Sequence, residues 1–253
     1  MEGSSSDKLI VVTREPEGIA TVTINRPKSL NSLTRPMMVD LAKAFKALAK
    51  DNSVRVIILS GAGRAFCSGV DLTAAQDVFK GDVKDPEADP VVQMEQCPKP
   101  IIGIALACDM LVAAKGAAFV DTHARFGIFP SWGLSQKLAR FIGPNKAREV
   151  SLAAMPLSAE EAEKLGFVNY IVDQNEVLNK ARQLAGAIMK NSQDLVLRYK
   201  SVINDGYKLD LRQGLAIEKE RGHEYYDGMT PEQFKKMQEF IARRSSKKPS
   251  SKL

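Results

Sequence analysis

Cysteine is scarce, aromatic residues are few and no long apolar run occurs, and each shortage excludes a class of protein. Three cysteines among 253 residues, Cys67, Cys97 and Cys108, show no paired spacing, so neither a disulfide framework nor a metal site is expected. Cys67 and Cys108 lie in apolar surroundings where a thiol behaves as a small hydrophobe, which suits a reducing compartment. No window approaches the roughly eighteen uninterrupted apolar residues of a membrane span. The opening MEGSSSDKLI has neither the basic start nor the apolar stretch of a secretory leader. Zinc spacing, an aromatic RNA-binding cluster and a helix-turn-helix are all missing, so nucleic acid is not an expected partner even though the formal charge is +6. Part of that charge sits in the tail ARRSSKKPSSKL, and a modest positive field suits a polyanionic small ligand.

The remainder is an ordinary globular composition, 44% apolar and 26% charged, long enough for one full core and a small appendage. Residues 9–14 and 19–25 alternate and are β-branched around the turn Glu15-Pro16-Glu17-Gly18, which predicts a hairpin. Leu33, Met37, Leu41, Phe45 and Leu48 then recur at three or four, predicting an amphipathic helix with Thr34 as N-cap and Pro36 in its first turn. Residues 54–60 form a nearly continuous apolar strand of the kind covered on both faces. This strand-helix-strand order predicts an α/β layered core. Residues 80–90 read as a surface loop, 100–103 as a second buried strand and 117–120 as a short one. Ile104 to Cys108 reads as an apolar helical run that begins directly after Gly103. From Gly133 onward the pattern is helical, with Ser158-Ala159-Glu160-Glu161 a capping box, 167–172 an edge strand and a last basic helix over 230–243.

Two places carry candidate chemistry. Arg64-Ala65-Phe66-Cys67-Ser68-Gly69-Val70-Asp71-Leu72 follows the buried strand, and a glycine at a strand-to-helix turn would let backbone amides reach an oxyanion. In Phe119-Val120-Asp121-Thr122-His123, His123 is a candidate general acid or base that Asp121 could orient, or Asp121 could act itself; the alternative is a hydrogen-bonded loop histidine. Asp71 can equally be a helix cap, and Lys28 a solvated turn lysine. Ser131 and Trp132 could line an apolar pocket, with packing the stronger role for Trp132. His223, in a charged helical run, reads as a solvated position.

Five blocks in order, Asn25 to Leu33, Ala65 to Leu72, Lys99 to Gly103, Leu106 to Asp109 and Phe126 to Pro130, resemble the enoyl-CoA hydratase/isomerase (crotonase) superfamily over about residues 9–243. The resemblance implies an α/β, crotonase-like fold with a ββα-repeat spiral core over 1–190, a helical C-terminal portion over 191–244 and a flexible tail over 245–253. It implies a coenzyme A thioester substrate, no cofactor, and hydration of 2-trans-enoyl-CoA to 3-hydroxyacyl-CoA. Lys28, Leu30, Ser68, Gly69, Val70, Asp71 and Leu72 would line the CoA channel, with the Val70 amide as one oxyanion donor. Family members carry a Gly-containing loop and helix start after the strand like residues 99–103, holding a second oxyanion amide and a first glutamate. This sequence lacks that segment, and His123 stands where the second glutamate is expected. The alternative implied is a CoA-ester binder impaired in catalysis. The resemblance also implies a homo-trimer or hexamer. Ser251, Lys252 and Leu253 read as a peroxisomal address for an import receptor.

Overall fold

The protein is described by a computed structural model covering residues 8–79 and 85–246; part of the loop expected at 80–90, and Ser251, Lys252 and Leu253, lie outside the described residues. The hairpin forms as β1 (Ile10–Arg14) and β2 (Ile19–Ile24), antiparallel with Val12 opposite Val22. Helix α1 (Arg35–Lys50) follows and buries Met37, Met38, Leu41, Phe45 and Leu48, the stripe its periodicity requires. Strand β3 (Val56–Gly61) then pairs parallel with β2. Beyond a 3₁₀ turn at Leu72–Ala74 come α2 (Ala75–Phe79) and α3 (Pro90–Gln96), the latter capped by the Asp89 carboxylate, which accepts from the Val91 and Val92 amides.

The sheet continues with β4 (Ile101–Gly103) and β5 (Met110–Ala114). The short β6 (Ala118–Phe119) lies outside it, followed by helices α4 (His123–Phe126), α5 (Leu134–Ile142) and α6 (Pro144–Leu152). Strand β7 (Leu157–Ser158) pairs with β6, and Ser158 caps α7 (Ala159–Lys164) by accepting the Glu161 amide. Strand β8 (Tyr170–Val172) then completes a six-stranded sheet in the order β1-β2-β3-β4-β5-β8, parallel throughout except at the hairpin. Helices α8 (Val177–Met189), α9 (Gln193–Gly206), α10 (Leu211–Asp227) and α11 (Pro231–Ser246) end the described chain. The chain divides after Leu197 into two compact units.

The continuous apolar strands are explained by burial on both faces. Ala20, Val22, Ile57, Leu59, Ile101, Leu111 and Ala113 join the core that holds the α1 stripe. Their neighbours Ile19, Val56, Ile58, Ile102 and Val112 point the other way, toward Ala181 and Ala185 of α8. Period-two alternation thus serves two cores at once.

The structure corrects the expected helix at 104–108. Ile104 to Asp109 are bends and one turn, and they lead directly into β5, a strand the sequence pattern did not suggest. Parallel neighbours usually need a crossover of about a dozen residues or more. Six suffice here because β4 and β5 pair only at Ile102 with Met110 and Gly103 with Leu111. The turn closes through Asp109. Its amide donates to the Ile101 carbonyl at 2.9 Å, and its carboxylate accepts the Ile101 amide at 2.7 Å, filling a ladder position with a side chain. Gly103 is required by close approach, since a Cβ there would stand 2.8 Å from the Cys108 sulfur and 2.9 Å from the Leu59 carbonyl oxygen. Asp109→Ala would leave the buried Ile101 amide without this acceptor and is expected to destabilise the protein by about 1–3 kcal/mol in urea unfolding. Asp109→Asn, which keeps an acceptor oxygen, is expected to recover most of that; equal losses in both variants would contradict this role.

Candidate functional site at the carboxyl edge of the sheet

In open parallel sheets, ligands gather outside the carboxyl ends of the strands, and the candidate residues lie there, on the segments after β2 and β3. The two segments are joined as a small parallel ladder. The Ser68 amide donates to Leu30, the Leu33 amide to Gly69 and the Asp71 amide to Leu33. Leu33 and Val70 face one another as a bridge. In that register the N–H of Val70 points away from Leu33, and among the described residues no acceptor takes it. Gly69 has a φ of +95°, and a Cβ there would meet nothing within 4 Å, so the backbone beside Val70 borders open space. The amide is therefore available, but for a different reason from the one expected: Val70 lies in an extended bridge, and the 3₁₀ turn begins only at Leu72.

Side chains fix this ladder. Asn31 is fully buried; its oxygen accepts the Arg26 amide at 2.8 Å, and its nitrogen donates to the Ala62 and Ala65 carbonyls at 2.8 and 2.7 Å. Leu30 and Asn31 both adopt left-handed φ, +50° and +59°, a conformation asparagine tolerates better than leucine. The Arg26 guanidinium donates to the Ser32 hydroxyl and to the Asp71 carboxylate. Asp71 also accepts the Thr73 hydroxyl and amide, so it caps the 3₁₀ turn. These bonds, from the Thr73 hydroxyl first, then Arg26, then the Thr73 amide, hold its carboxyl down at about 2. Lys28 and Ser68 are exposed, Leu30 is half-buried and Leu72 is exposed. Arg26 and Asn31 do not stand out in the sequence; the signal that points to Asn31 is an asparagine in the short polar turn that follows Pro27, where left-handed backbone is tolerated.

Asp121 and His123 form a second grouping. The His123 ring Nδ1 lies 2.7 Å from the Asp121 carboxylate, which also accepts the His123 amide at 3.0 Å. Burial pushes the Asp121 carboxyl up, but bonds from the His123 amide, the Ser151 hydroxyl and the His123 ring hold it below the usual carboxylate range. The pair lines a cavity of about 380 Å³ with Ile128, Leu134, Ser151 and Leu152. Among the described residues it shares no hydrogen bond with the ladder that holds Val70. Trp132, with φ +54°, donates its indole N–H to Asp89 at 3.3 Å, and His223 is exposed on α10. Among the described residues no group of three or more His, Cys, Asp or Glu could hold a metal ion, and no helix is long and apolar enough to cross a membrane.

Comparisons with known proteins follow the same lines. The model of the enoyl-CoA hydratase/isomerase family matches residues 14–247. The chain is 68% identical to a probable peroxisomal enoyl-CoA hydratase 1 of Arabidopsis thaliana, covering all of both chains; the alignment runs over 265 positions, 12 more than this chain has residues. Among solved structures, the enoyl-CoA hydratase of Bacillus anthracis superposes with a TM-score of 0.79 at 28% identity, over 93% of this chain and 97% of that one. The enoyl-CoA hydratase of Mycobacterium tuberculosis H37Rv gives 0.69 at 30% identity, over 83% and 93%.

Asp71 offers a pH test of the ladder. A carboxyl lowered on folding contributes stability that is complete above its ordinary value of 3.8 and is lost as the pH falls through about 2. Urea midpoints of the wild type and Asp71→Asn are therefore expected to differ at neutral pH and to converge across that window. A difference that stayed undiminished at its lower end would contradict the assignment.

Proposed function

Because the chain belongs to the enoyl-CoA hydratase/isomerase family, whose model spans residues 14–247, we propose that it binds 2-trans-enoyl-CoA and adds water to give the 3-hydroxyacyl-CoA, with the Val70 N–H as oxyanion donor. The observation that carries this is the unclaimed Val70 amide beside open space at the carboxyl edge of the sheet. A thioester oxygen held there gains negative charge as water adds to the conjugated double bond, and a fixed amide stabilises it without reorganisation. Leu30, Ser68, Gly69, Asp71 and Leu72 frame the channel. Exposed Lys28 meets the phosphates of CoA as a mobile point charge. His123, oriented by Asp121, supplies proton transfer, and no cofactor enters the reaction.

A single amide donor supports a slow reaction. Loss of one oxyanion donor typically costs about a hundred- to a thousandfold in rate, and the six-residue link from β4 to β5 leaves little backbone from which a second could come. That link favours a second reading, a CoA-ester binder with no useful turnover.

The relative named peroxisomal, alike over its whole length, supports a place in peroxisomal fatty-acid β-oxidation, with Ser251, Lys252 and Leu253 as the residues an import receptor would read. Self-association, as a trimer or pair of trimers, is supported by the C-terminal unit. Helix α10 buries no residue, and Leu211, Leu215 and Tyr226 on it are exposed, more apolar surface than a lone helix carries without a partner.

Crotonyl-CoA tests the choice. Calorimetry is expected to show binding, and the ultraviolet absorbance of the conjugated double bond is expected to fall slowly but above the uncatalysed rate. Val70→Pro, which removes the donor, is expected to cut turnover about a hundredfold while CoA binding persists. Binding with no turnover would establish the second reading, and no binding at all would reject both.

A further inference from the structure

Asp121 is buried, and its carboxylate gathers three donors: the His123 amide, the His123 ring and the Ser151 hydroxyl. An ionised carboxylate only accepts hydrogen bonds, so the imidazole nitrogen facing it must carry the proton. That nitrogen is Nδ1. Neutral His123 is thereby fixed in one tautomer, with its lone pair on Nε2, which has no partner among the described residues. The ring is 35% exposed and forms part of the wall of the 380 Å³ cavity, whose other lining is largely apolar: Ile128, Pro130, Leu134, Ala139 and Leu152. A base with an oriented proton, a buried anion behind it and an open, largely apolar hollow before it form an arrangement that can move protons to and from a guest with an apolar chain. A packing histidine needs none of the three.

We propose that Ser151, Asp121 and His123 form a proton relay in which His123 Nε2 moves a proton between water and an unsaturated acyl chain, while Asp121 and Ser151 are its positioning residues. This rests on the CoA-thioester function above and adds which ring nitrogen carries the proton and which residues hold the ring in that tautomer. Nε2 takes a proton from water as the water oxygen bonds to the β-carbon, and the electron pair of the double bond shifts toward the thioester. The same proton then returns from Nε2 to the α-carbon. One water is added, the imidazole is regenerated and no other reactant is consumed. The Ser151 hydroxyl, on the wall of the same cavity, donates to the Asp121 carboxylate and helps to hold it in place.

The test combines a spectroscopic signature with a kinetic split on the full chain. Nitrogen-15 spectra of the histidine rings, with His123 identified as the signal lost in His123→Gln, are expected to show the neutral ring protonated at Nδ1. Asp121→Asn is expected to move the proton to Nε2, because an amide donor then faces the ring. With crotonyl-CoA, His123→Gln is expected to lower kcat about a hundredfold. Asp121→Asn should lower it at least about tenfold with little change in KM, and Ser151→Ala less than that. A wild-type ring protonated at Nε2, or a kcat indifferent to His123→Gln, would overturn the relay. Calorimetry keeps the two claims apart: unchanged crotonyl-CoA binding alongside either of those results removes the relay and leaves the CoA function standing, and a wild type that binds without turnover overturns the relay as a catalyst.

Discussion

The buried amide of Asn31 is the contact on which the ladder after β2 and β3 depends. Neither segment has regular structure for most of its length, and two consecutive residues, Leu30 and Asn31, sit in left-handed backbone that costs of order 1–3 kcal/mol each. Asn31 offsets this by reaching both segments, accepting from Arg26 on its own and donating to Ala62 and Ala65 on the other. The backbone bonds between Leu30, Leu33 and residues 68–71 then have a fixed register. From that register follows the direction of the Val70 N–H, and from the direction its availability to a ligand. The Arg26–Asp71 pair closes the far end of the same ladder.

One strand further along the sheet, the link at the same edge is short. The link between β4 and β5 spans six residues and holds itself together through Asp109, whose carboxylate replaces a backbone partner for Ile101. The α/β layers are complete around it, with full-length identity of 68% to a hydratase relative and close superposition on solved hydratases. Fold and catalysis place different demands on such a link. The sheet needs only a satisfied ladder and buried Ile101 and Ile102, whereas oxyanion stabilisation scales with the number of amides that converge on one point.

Much of the architecture was legible because it is written in local periodicity. The hairpin, the α1 stripe and the doubly buried β3 each announce themselves within a few residues. Ile104 to Cys108 did not, because a short apolar run has no period that separates helix from other structure. Its path is set by partners elsewhere: Ile101 and Ile102 on one side of the turn, and Tyr170 to Val172 pairing with β5 on the other. The site shows the same division. Val70, Asp71 and the Asp121–His123 spacing stand out in the sequence, but Asn31 and Arg26 acquire meaning only from residues 31 to 45 positions away. Ser151 reaches Asp121 only once α6 has packed beside α4.

The Asn31-fixed ladder leaves the Val70 amide open for a thioester oxygen. Residue-resolved hydrogen exchange at Val70, with and without a saturating non-reactive CoA thioester, reads that opening atom by atom. Exchange at Val70 is expected to be rapid in the unliganded protein, slower than in an unfolded chain only by local crowding, and strongly suppressed on adding the thioester, while the Leu33 and Asp71 amides stay protected in both states. A Val70 amide already protected without ligand, or unaffected by it, would mean that the ladder does not offer this N–H to a thioester.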